Sequence, residues 1–279
     1  MALTVHHFNC GTFRPLGGRL IDGKGSFTHA ATLVCHCLLV ELPDALVLID
    51  TGIGLADIAD PAQRLGQDFL RRVRPVLERS ETAVQQVTRL GYDLQDVRHI
   101  VLTHLDRDHA GGLADFPDAE VHVHQPALQA ALHPATQRDQ DRHRSGQWAH
   151  GPKWQPHPTD GERWFGFEAV HVLAGLPDDL LLVPLAGHST GHAGVAVRSD
   201  ATAGTEWLLH AGDAYFFHGE TDPGSPHCPP GLRFFQRKAQ ADQQVRLDNQ
   251  QRLRELRAAG AVTVFSAHDP VEFGALSAR

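Results

Sequence analysis

The chain has few of the residues that mark secreted or membrane-spanning proteins. Four cysteines occur among 279 residues, and none of them form a Cys-x-x-Cys pair. A disulfide framework is therefore not expected, and the cysteines are interpreted as small buried hydrophobic side chains. No uninterrupted run of about 18 apolar residues is present that could cross a membrane. The first residues lack a basic segment followed by an apolar stretch, so we expect no signal peptide and a cytoplasmic location.

Positive charge is scarce as well. Lysine and arginine number 25 against 33 acidic residues, which gives a net charge of −8 with histidine neutral. A basic footprint is what nucleic-acid binding normally requires, and anionic membranes favour the same charge. We therefore expect a small-molecule substrate and neither nucleic acid nor membrane as a partner. With 42% hydrophobic and 21% charged residues, the composition is that of an ordinary globular protein.

Histidine is abundant, with 20 copies, and one short run combines it with aspartate. This run, His104-Leu105-Asp106-Arg107-Asp108-His109, places four potential metal ligands within six residues. It follows the apolar segment 98–103, which is rich in β-branched residues and predicts a strand. In an extended segment positions 104 and 106 project to the same side, whereas the adjacent residues 108 and 109 can face a second centre. The run predicts a metal site, although a solvated polar loop could also produce it.

Three other potential ligands also follow apolar segments directly. His188 follows residues 180–186, Asp213 follows 206–212, and His268 comes shortly after 262–265. Side chains at strand ends are held rigidly, which a metal site needs. Because this placement recurs, chance is a poor explanation, and the sequence predicts that the three complete the site.

These positions together resemble the metallo-β-lactamase superfamily. That family has a His-x-His-x-Asp-His run, a distant histidine, a bridging aspartate and a final histidine. An early strand that ends in Asp-Thr-Gly also belongs to it, here Asp50-Thr51-Gly52. The similarity covers residues 50 to 269 and implies an α+β fold, the four-layer αββα sandwich, as a single domain over residues 1–279. The order of predicted strands and helices is compatible with two half-domains packed sheet to sheet.

The resemblance also implies how the ligands divide between two divalent metal ions. The first ion would be bound by His104, Asp106 and His188 and the second by Asp108, His109 and His268, with Asp213 bridging both. A hydroxide held between the ions would be the nucleophile, and Asp108 could orient it as well as bind metal.

One ligand departs from the family pattern. Asp106 stands where the family usually has histidine, and a carboxylate shifts metal preference towards Mn or Fe. Either it binds the first ion or that site is weak or empty; we expect a ligand, with zinc as the first choice of metal.

Three further residues near these motifs could have a catalytic or a structural role. Tyr215 could donate to an oxyanion, as in lactone-cleaving members, although their tyrosine stands one position later, where this chain has Phe216. Ordinary packing is the alternative for Tyr215. Asp50 either forms a turn or orients a ligand histidine, and His192 is interpreted as structural.

The segment 134–164 has little periodicity and contains Trp148, Trp154 and Trp164. We expect a long loop or short-helix excursion, an insertion that acts as a lid, and its tryptophans could supply an apolar wall for an acyl chain. A disordered insertion is the alternative, but three tryptophans favour packing.

The sequence thus predicts a binuclear metal-dependent hydrolase acting on a small lactone or ester. The length resembles the lactonase-like branch, in which dimers are common, so a homodimer is compatible with it. Two alternatives stay open: a metal-binding regulatory or non-catalytic protein with a degraded site, and a diiron redox protein.

Overall fold

A computed structural model describes residues 3–199 and 205–278, and these residues form two six-stranded sheets with helices outside them. The first sheet has its strands in chain order: β1 (Thr4–Phe13), β2 (Leu33–Glu41), β3 (Leu46–Ile49), β4 (Val97–Val101), β5 (Glu120–His124) and β6 (Lys153–His157). Strands β3 to β6 run parallel to one another, so their carboxyl ends meet at one edge.

The second sheet runs from β7 at one edge to β12 at the other. Its strands are β7 (Glu162–Trp164), β8 (Phe167–Val172), β9 (Leu180–Pro184), β10 (Ala193–Arg198), β11 (Trp207–His210) and β12 (Val262–Phe265). The last two strands pair in parallel, and each is followed by one of the predicted ligands.

Ten α-helices lie within the described ranges, and none of them is long and apolar enough to span a membrane. They are α1 (Gly18–Ile21), α2 (Leu55–Ala59), α3 (Pro61–Arg64), α4 (Gln67–Val73), α5 (Ala83–Arg89), α6 (Gln125–Leu132), α7 (Gln137–Arg142), α8 (Pro230–Ala239), α9 (Gln243–Ala259) and α10 (Pro270–Ser277).

Three hydrophobic clusters show the layer order. One packs α5 and α6 against the outer face of the first sheet, the second fills the space between the sheets, and the third packs α9 against the second sheet. Both faces of β2 are covered, which explains why most of its residues are apolar: Cys37 and Leu39 face the first cluster, whereas Leu38 and Val40 face the second. The αββα sandwich predicted from the family resemblance is confirmed.

Apolar residues at 62–90 have helical spacing, but the structure divides this stretch among α3, α4 and α5. Gly66, with φ 84°, separates α3 from α4, and Arg74 and Leu77 (φ 54° and 59°) separate α4 from α5 on either side of Pro75. Helix α8 begins at Pro230, where a proline fits the first turn of a helix.

The stretch 134–164 is more regular than a long loop, because most of it folds into helices and strands. A short helix was one of the two alternatives, and action as a lid stays a prediction. Helix α7 begins this stretch, and the edge strands β6 and β7 of the two sheets end it. Trp148 and Trp154 pack in the first hydrophobic cluster, and Trp164 packs in the third, where its ring meets Trp207. The tryptophans therefore stabilise the core and do not form an apolar wall for an acyl chain.

Candidate metal centre

The predicted ligands converge where strands of both sheets end. The six-residue run follows β4, His188 follows β9, Asp213 follows β11 and His268 follows β12. Gly212 makes the approach of Asp213 feasible, since it has a left-handed φ of 53° and a side chain there would lie 2.6 Å from the His192 ring. Four chain segments distant in sequence thus supply one buried polar cluster.

The first group of ligand atoms comes from His104, Asp106, His188 and Asp213, all within 4.8 Å of one another. His188 Nε2 lies 3.2 Å from Asp106 Oδ2 and 3.3 Å from Asp213 Oδ2. His104 Nε2 lies 3.5 Å from Asp106 Oδ2 and 3.7 Å from Asp213 Oδ2. Two imidazoles and two carboxylates therefore point into one space.

The second group shares Asp213 with the first. His109 Nε2 and His268 Nε2 lie 3.3 Å and 3.1 Å from Asp213 Oδ1. Asp108 Oδ2 lies 3.7 Å from His268 Nε2. Asp213 thus presents one carboxylate oxygen to each group, which is the geometry expected of a bridging ligand.

Several of these atoms are buried without a hydrogen-bond partner, namely His104 Nε2, His109 Nε2, Asp106 Oδ1 and Asp213 Oδ1. Buried polar atoms are rarely left unpaired, because desolvation without compensation is costly. Imidazole nitrogens and carboxylate oxygens are common ligands of divalent metal ions. The donor set and its orphaned atoms therefore fit metal binding by these side chains.

The charges in the cluster also fit metal binding by these side chains. Burial disfavours charge on both His109 and Asp213, yet their mutual attraction outweighs it. The Asp213 and Asp50 carboxylates raise the pKa of His109 well above its ordinary value. The His268 and His109 imidazoles lower the pKa of Asp213 well below its ordinary value. The buried carboxylates thus require positive charge beside them.

The surrounding residues hold the ligands in place. Asp50 Oδ2 lies 2.8 Å from His109 Nδ1, and Asp50 also accepts hydrogen bonds from the Thr103 backbone and hydroxyl. These contacts favour the interpretation that Asp50 orients a ligand histidine over the one that it only forms a turn. His192 has the expected structural role, since its Nε2 accepts a hydrogen bond from the Asp213 backbone N–H at 2.9 Å.

Tyr215 does not face this cluster. It is fully buried in the third hydrophobic cluster, and its hydroxyl lies 3.0 Å from both carboxylate oxygens of Glu272. The expectation that Tyr215 donates to an oxyanion is wrong, and packing is its role. Phe216, one residue later, is the aromatic side chain at the site: its ring stacks on His268 with centroids 5.1 Å apart.

Sequence reasoning missed Arg142, at the end of α7. Its Nη1 lies 2.6 Å from Asp106 Oδ2 and 2.9 Å from His188 Nε2, and its Nη2 contacts the His188 carbonyl oxygen at 3.2 Å. A guanidinium therefore lies against two predicted ligands of the first metal. Only the unusual carboxylate at Asp106 hinted that a cation would be needed here.

Cys35 was also missed as a residue of the site. Its sulfur lies within 4.8 Å of ligand atoms of Asp108 and His268. Burial raises the pKa of the Cys35 thiol well above its ordinary value, and the Asp108 charge raises it further. The apolar strand around Cys35 gave core packing as the simpler interpretation, and Cys35 does lie in the first hydrophobic cluster.

Comparisons with known proteins agree with this architecture. The model of the metallo-beta-lactamase superfamily matches residues 31–202. A probable metallo-hydrolase of Mycobacterium tuberculosis is 43% identical over 268 residues, which cover 95% of this chain and 80% of that protein. An N-acyl homoserine lactonase of Bacillus thuringiensis is 29% identical over 127 residues, or 43% of this chain and 50% of that protein.

One solved structure supports the fold over nearly the whole chain. It is an N-acyl homoserine lactone hydrolase with the product N-hexanoyl-L-homoserine bound at its catalytic metal center. It superposes with a TM-score of 0.71 at 20% identity and covers 99% of this chain and 97% of its own. The family model and the mycobacterial relative show that the chain belongs to the metallo-β-lactamase superfamily, and the solved structure agrees with its fold.

Proposed function

We propose that this protein is a binuclear metal-dependent hydrolase that opens a lactone or cleaves another small ester. The observation that carries the proposal is Asp213, which presents one oxygen to His188 and the other to His109 and His268. A carboxylate so placed can bridge two ions. The mycobacterial relative is named a metallo-hydrolase, and the partial match to a lactonase supports the substrate class.

Two divalent ions, with zinc as the first choice, would lower the pKa of bound water and polarise an ester carbonyl. The protein's own part is to hold the reactants. Asp108 would bind metal in the second group and orient the nucleophile, and the 3.7 Å distance between its Oδ2 and His268 Nε2 supports this role. Asp50 fixes His109, so that the ligand ring need not reorient during reaction.

A cavity of about 230 Å³ lies next to the cluster. Phe216 connects the two, because it lines the cavity and stacks on His268. Ile21, Leu33 and Val271 add apolar surface, and Lys24 adds a positive charge at the wall. The cavity lies at or below the small end of typical ligand sites, which favours a small ring or a short acyl group.

The test is hydrolysis by the purified, metal-loaded protein. We expect ring opening of at least one member of a panel of lactones of increasing acyl length, or cleavage of aryl esters. Asp213→Asn should abolish turnover and lower the number of ions held by the cluster from about two. Absence of turnover over the whole panel with two ions bound at the cluster would contradict the proposal.

Arg142 favours a second candidate, a metal-binding protein without catalysis. Its guanidinium lies at hydrogen-bond distance from Asp106 and His188, which leaves fewer ligands for the first ion. That candidate predicts one ion or none at the cluster and no turnover. Elemental analysis of wild type and Asp213→Asn, combined with the substrate panel, distinguishes the two, because the difference in ion count reports the cluster alone.

A further inference from the structure

A second group of histidines lies between the sheets, away from the candidate metal centre. His99, His122 and His157 come from the neighbouring strands β4, β5 and β6. His99 Nδ1 lies 3.1 Å from His122 Nε2, and His122 Nδ1 lies 3.0 Å from His157 Nε2. The three rings therefore form a continuous row across the first sheet.

Strand register explains why they face inward. His122 pairs with Val101, and His99 pairs with both Val47 and Glu120. Paired residues of neighbouring strands lie on the same face of a sheet, and Val101 belongs to the hydrophobic cluster between the sheets. The row thus puts imidazoles on a face that is largely apolar, where each unpaired nitrogen is costly.

Glu120 completes a set of ligand atoms. The atoms offered by His99, Glu120 and His122 lie within 4.8 Å of one another, and His99 Nδ1 is 3.8 Å from Glu120 Oε2. Two nitrogens bound to one tetrahedral zinc at about 2.0–2.1 Å stand about 3.3–3.4 Å apart. The 3.1 Å separation of the His99 and His122 nitrogens is close to that value.

His157 provides the outer contact that metal-binding histidines usually have. When His122 Nδ1–H donates to His157 Nε2, the lone pair of His122 Nε2 is directed towards His99. The His122 and His157 rings are stacked, with 16° between their planes.

The group is separate from the candidate centre and open to solvent on one side. The group His99, Glu120 and His122 shares no residue with the ligand groups of the candidate centre. The Glu120 side chain is 45% exposed and the His99 side chain 16%, whereas His122 is buried. An ion can therefore enter from the Glu120 side.

We propose that His99, Glu120 and His122 bind one divalent transition-metal ion, zinc by preference, at a site distinct from the binuclear centre. Two imidazoles and one carboxylate favour zinc over magnesium or calcium, which prefer all-oxygen ligands. The fourth position faces solvent and is open to water. Such an ion joins β4 to β5 at the amino-terminal half of the parallel strands.

The test counts metal ions in the full-length protein after equilibrium with micromolar free zinc. Wild type should hold one ion more than His99→Ala and Glu120→Gln. Both positions are partly exposed, so these variants should fold. His133→Ala, which removes an exposed histidine elsewhere, should match wild type and thereby controls for loose binding to surface imidazoles.

Thermal denaturation gives a second readout. Zinc added to metal-free protein should raise the melting temperature of wild type more than that of His99→Ala, because the variant lacks one site that stabilises the folded state. Equal ion counts in wild type and His99→Ala, or an extra ion that appears only at millimolar zinc, would overturn the proposal. The comparison holds whether or not the protein is a hydrolase, because both variants retain the binuclear cluster.

Discussion

Arg142 donates a hydrogen bond to Asp106, with 2.6 Å between Nη1 and Oδ2, where both side chains are largely shielded from solvent. Asp106 is also the position at which this chain departs from the histidine usual in its family. The negative charge of Asp106 and the guanidinium beside it therefore compensate each other in this chain. Burial raises the pKa of Asp106, but Arg142 and His104 outweigh it and hold that pKa well below its ordinary value.

Arg142→Ala should strengthen metal binding at the first group. The substitution removes a cation that competes for the Asp106 oxygen and the His188 nitrogen. We expect the affinity for the more weakly held ion to rise about tenfold or more, as measured by competition with a chromophoric chelator.

Arg138→Ala is the matched control for that experiment. Arg138 also lies on α7 and donates to the Gln240 carbonyl at 2.6 Å, so its loss loosens the same helix but leaves the Asp106 contact intact. An equal change in metal affinity in both variants would show that helix mobility, and not charge competition, controls the first group.

Asp50→Asn should weaken the second group. The amide has one acceptor oxygen, so it cannot accept from the Thr103 N–H and from His109 Nδ1–H at once, as the two carboxylate oxygens do. The ring therefore loses its fixed orientation. Loss of such outer contacts costs about 10–100-fold in metal affinity. Chelator competition measures the loss, and Asp60→Asn, at an exposed helix cap, serves as control. Unchanged affinity in Asp50→Asn would contradict the assigned role.

Tyr215→Phe should affect stability and spare catalysis. Its hydroxyl bonds to the buried Glu272, so removing it should cost about 1–2 kcal/mol of unfolding free energy. The ratio kcat/KM should stay within about threefold of wild type. Denaturant unfolding and steady-state kinetics test the two parts.

Phe216→Leu gives the contrasting variant for Tyr215→Phe. Phe216 contacts both His188 and His268, so we expect its substitution to raise KM with a smaller effect on stability.

A hundredfold fall in kcat for Tyr215→Phe at unchanged stability would contradict the packing role of Tyr215 and indicate a catalytic one.

The ligand run and the strand-end ligands were predictable because each lies beside a short apolar strand, and parallel strands bring their carboxyl ends together. His104, Asp213 and His268 are the clearest examples. Arg142 was not predictable, because it reaches the site from a helix in a stretch without periodicity. The edge strands β6 and β7 were missed for a related reason: edge strands are partly exposed and carry mixed polar residues such as Gln155 and Arg163.

Tyr215 and Phe216 show another limit of predicting site residues from sequence alone. Adjacent residues point to different surroundings, and only the backbone path after Asp213 decides which aromatic ring meets the ligands. The position in this chain that matches the tyrosine of lactone-cleaving members is Phe216, and the structure places that residue, and not its neighbour, at the cluster.

Glu272 gives a prediction about pH. It is 8% exposed, and burial raises its pKa to about 8, with the nearby Asp269 adding to the shift and Arg257 and Tyr215 opposing it. In the unfolded chain the same carboxyl titrates near 4.5. Between these values the folded protein keeps a proton that the unfolded chain releases, so the contribution of Glu272 to stability is present below about pH 4.5 and is lost as pH rises towards 8.

Glu272→Gln removes this titration but keeps an acceptor for the Tyr215 hydroxyl and the Ser266 N–H. The unfolding free energy of wild type minus that of the variant should therefore fall by a few kcal/mol between pH 5 and pH 8, since each pH unit contributes up to about 1.4 kcal/mol. Urea unfolding at four pH values across that window measures the difference, with near-ultraviolet circular dichroism to verify that the variant is folded. Parallel stability curves would show that Glu272 is ionised in the folded protein, in which case its ion pair with Arg257, at 3.3 Å, outweighs burial.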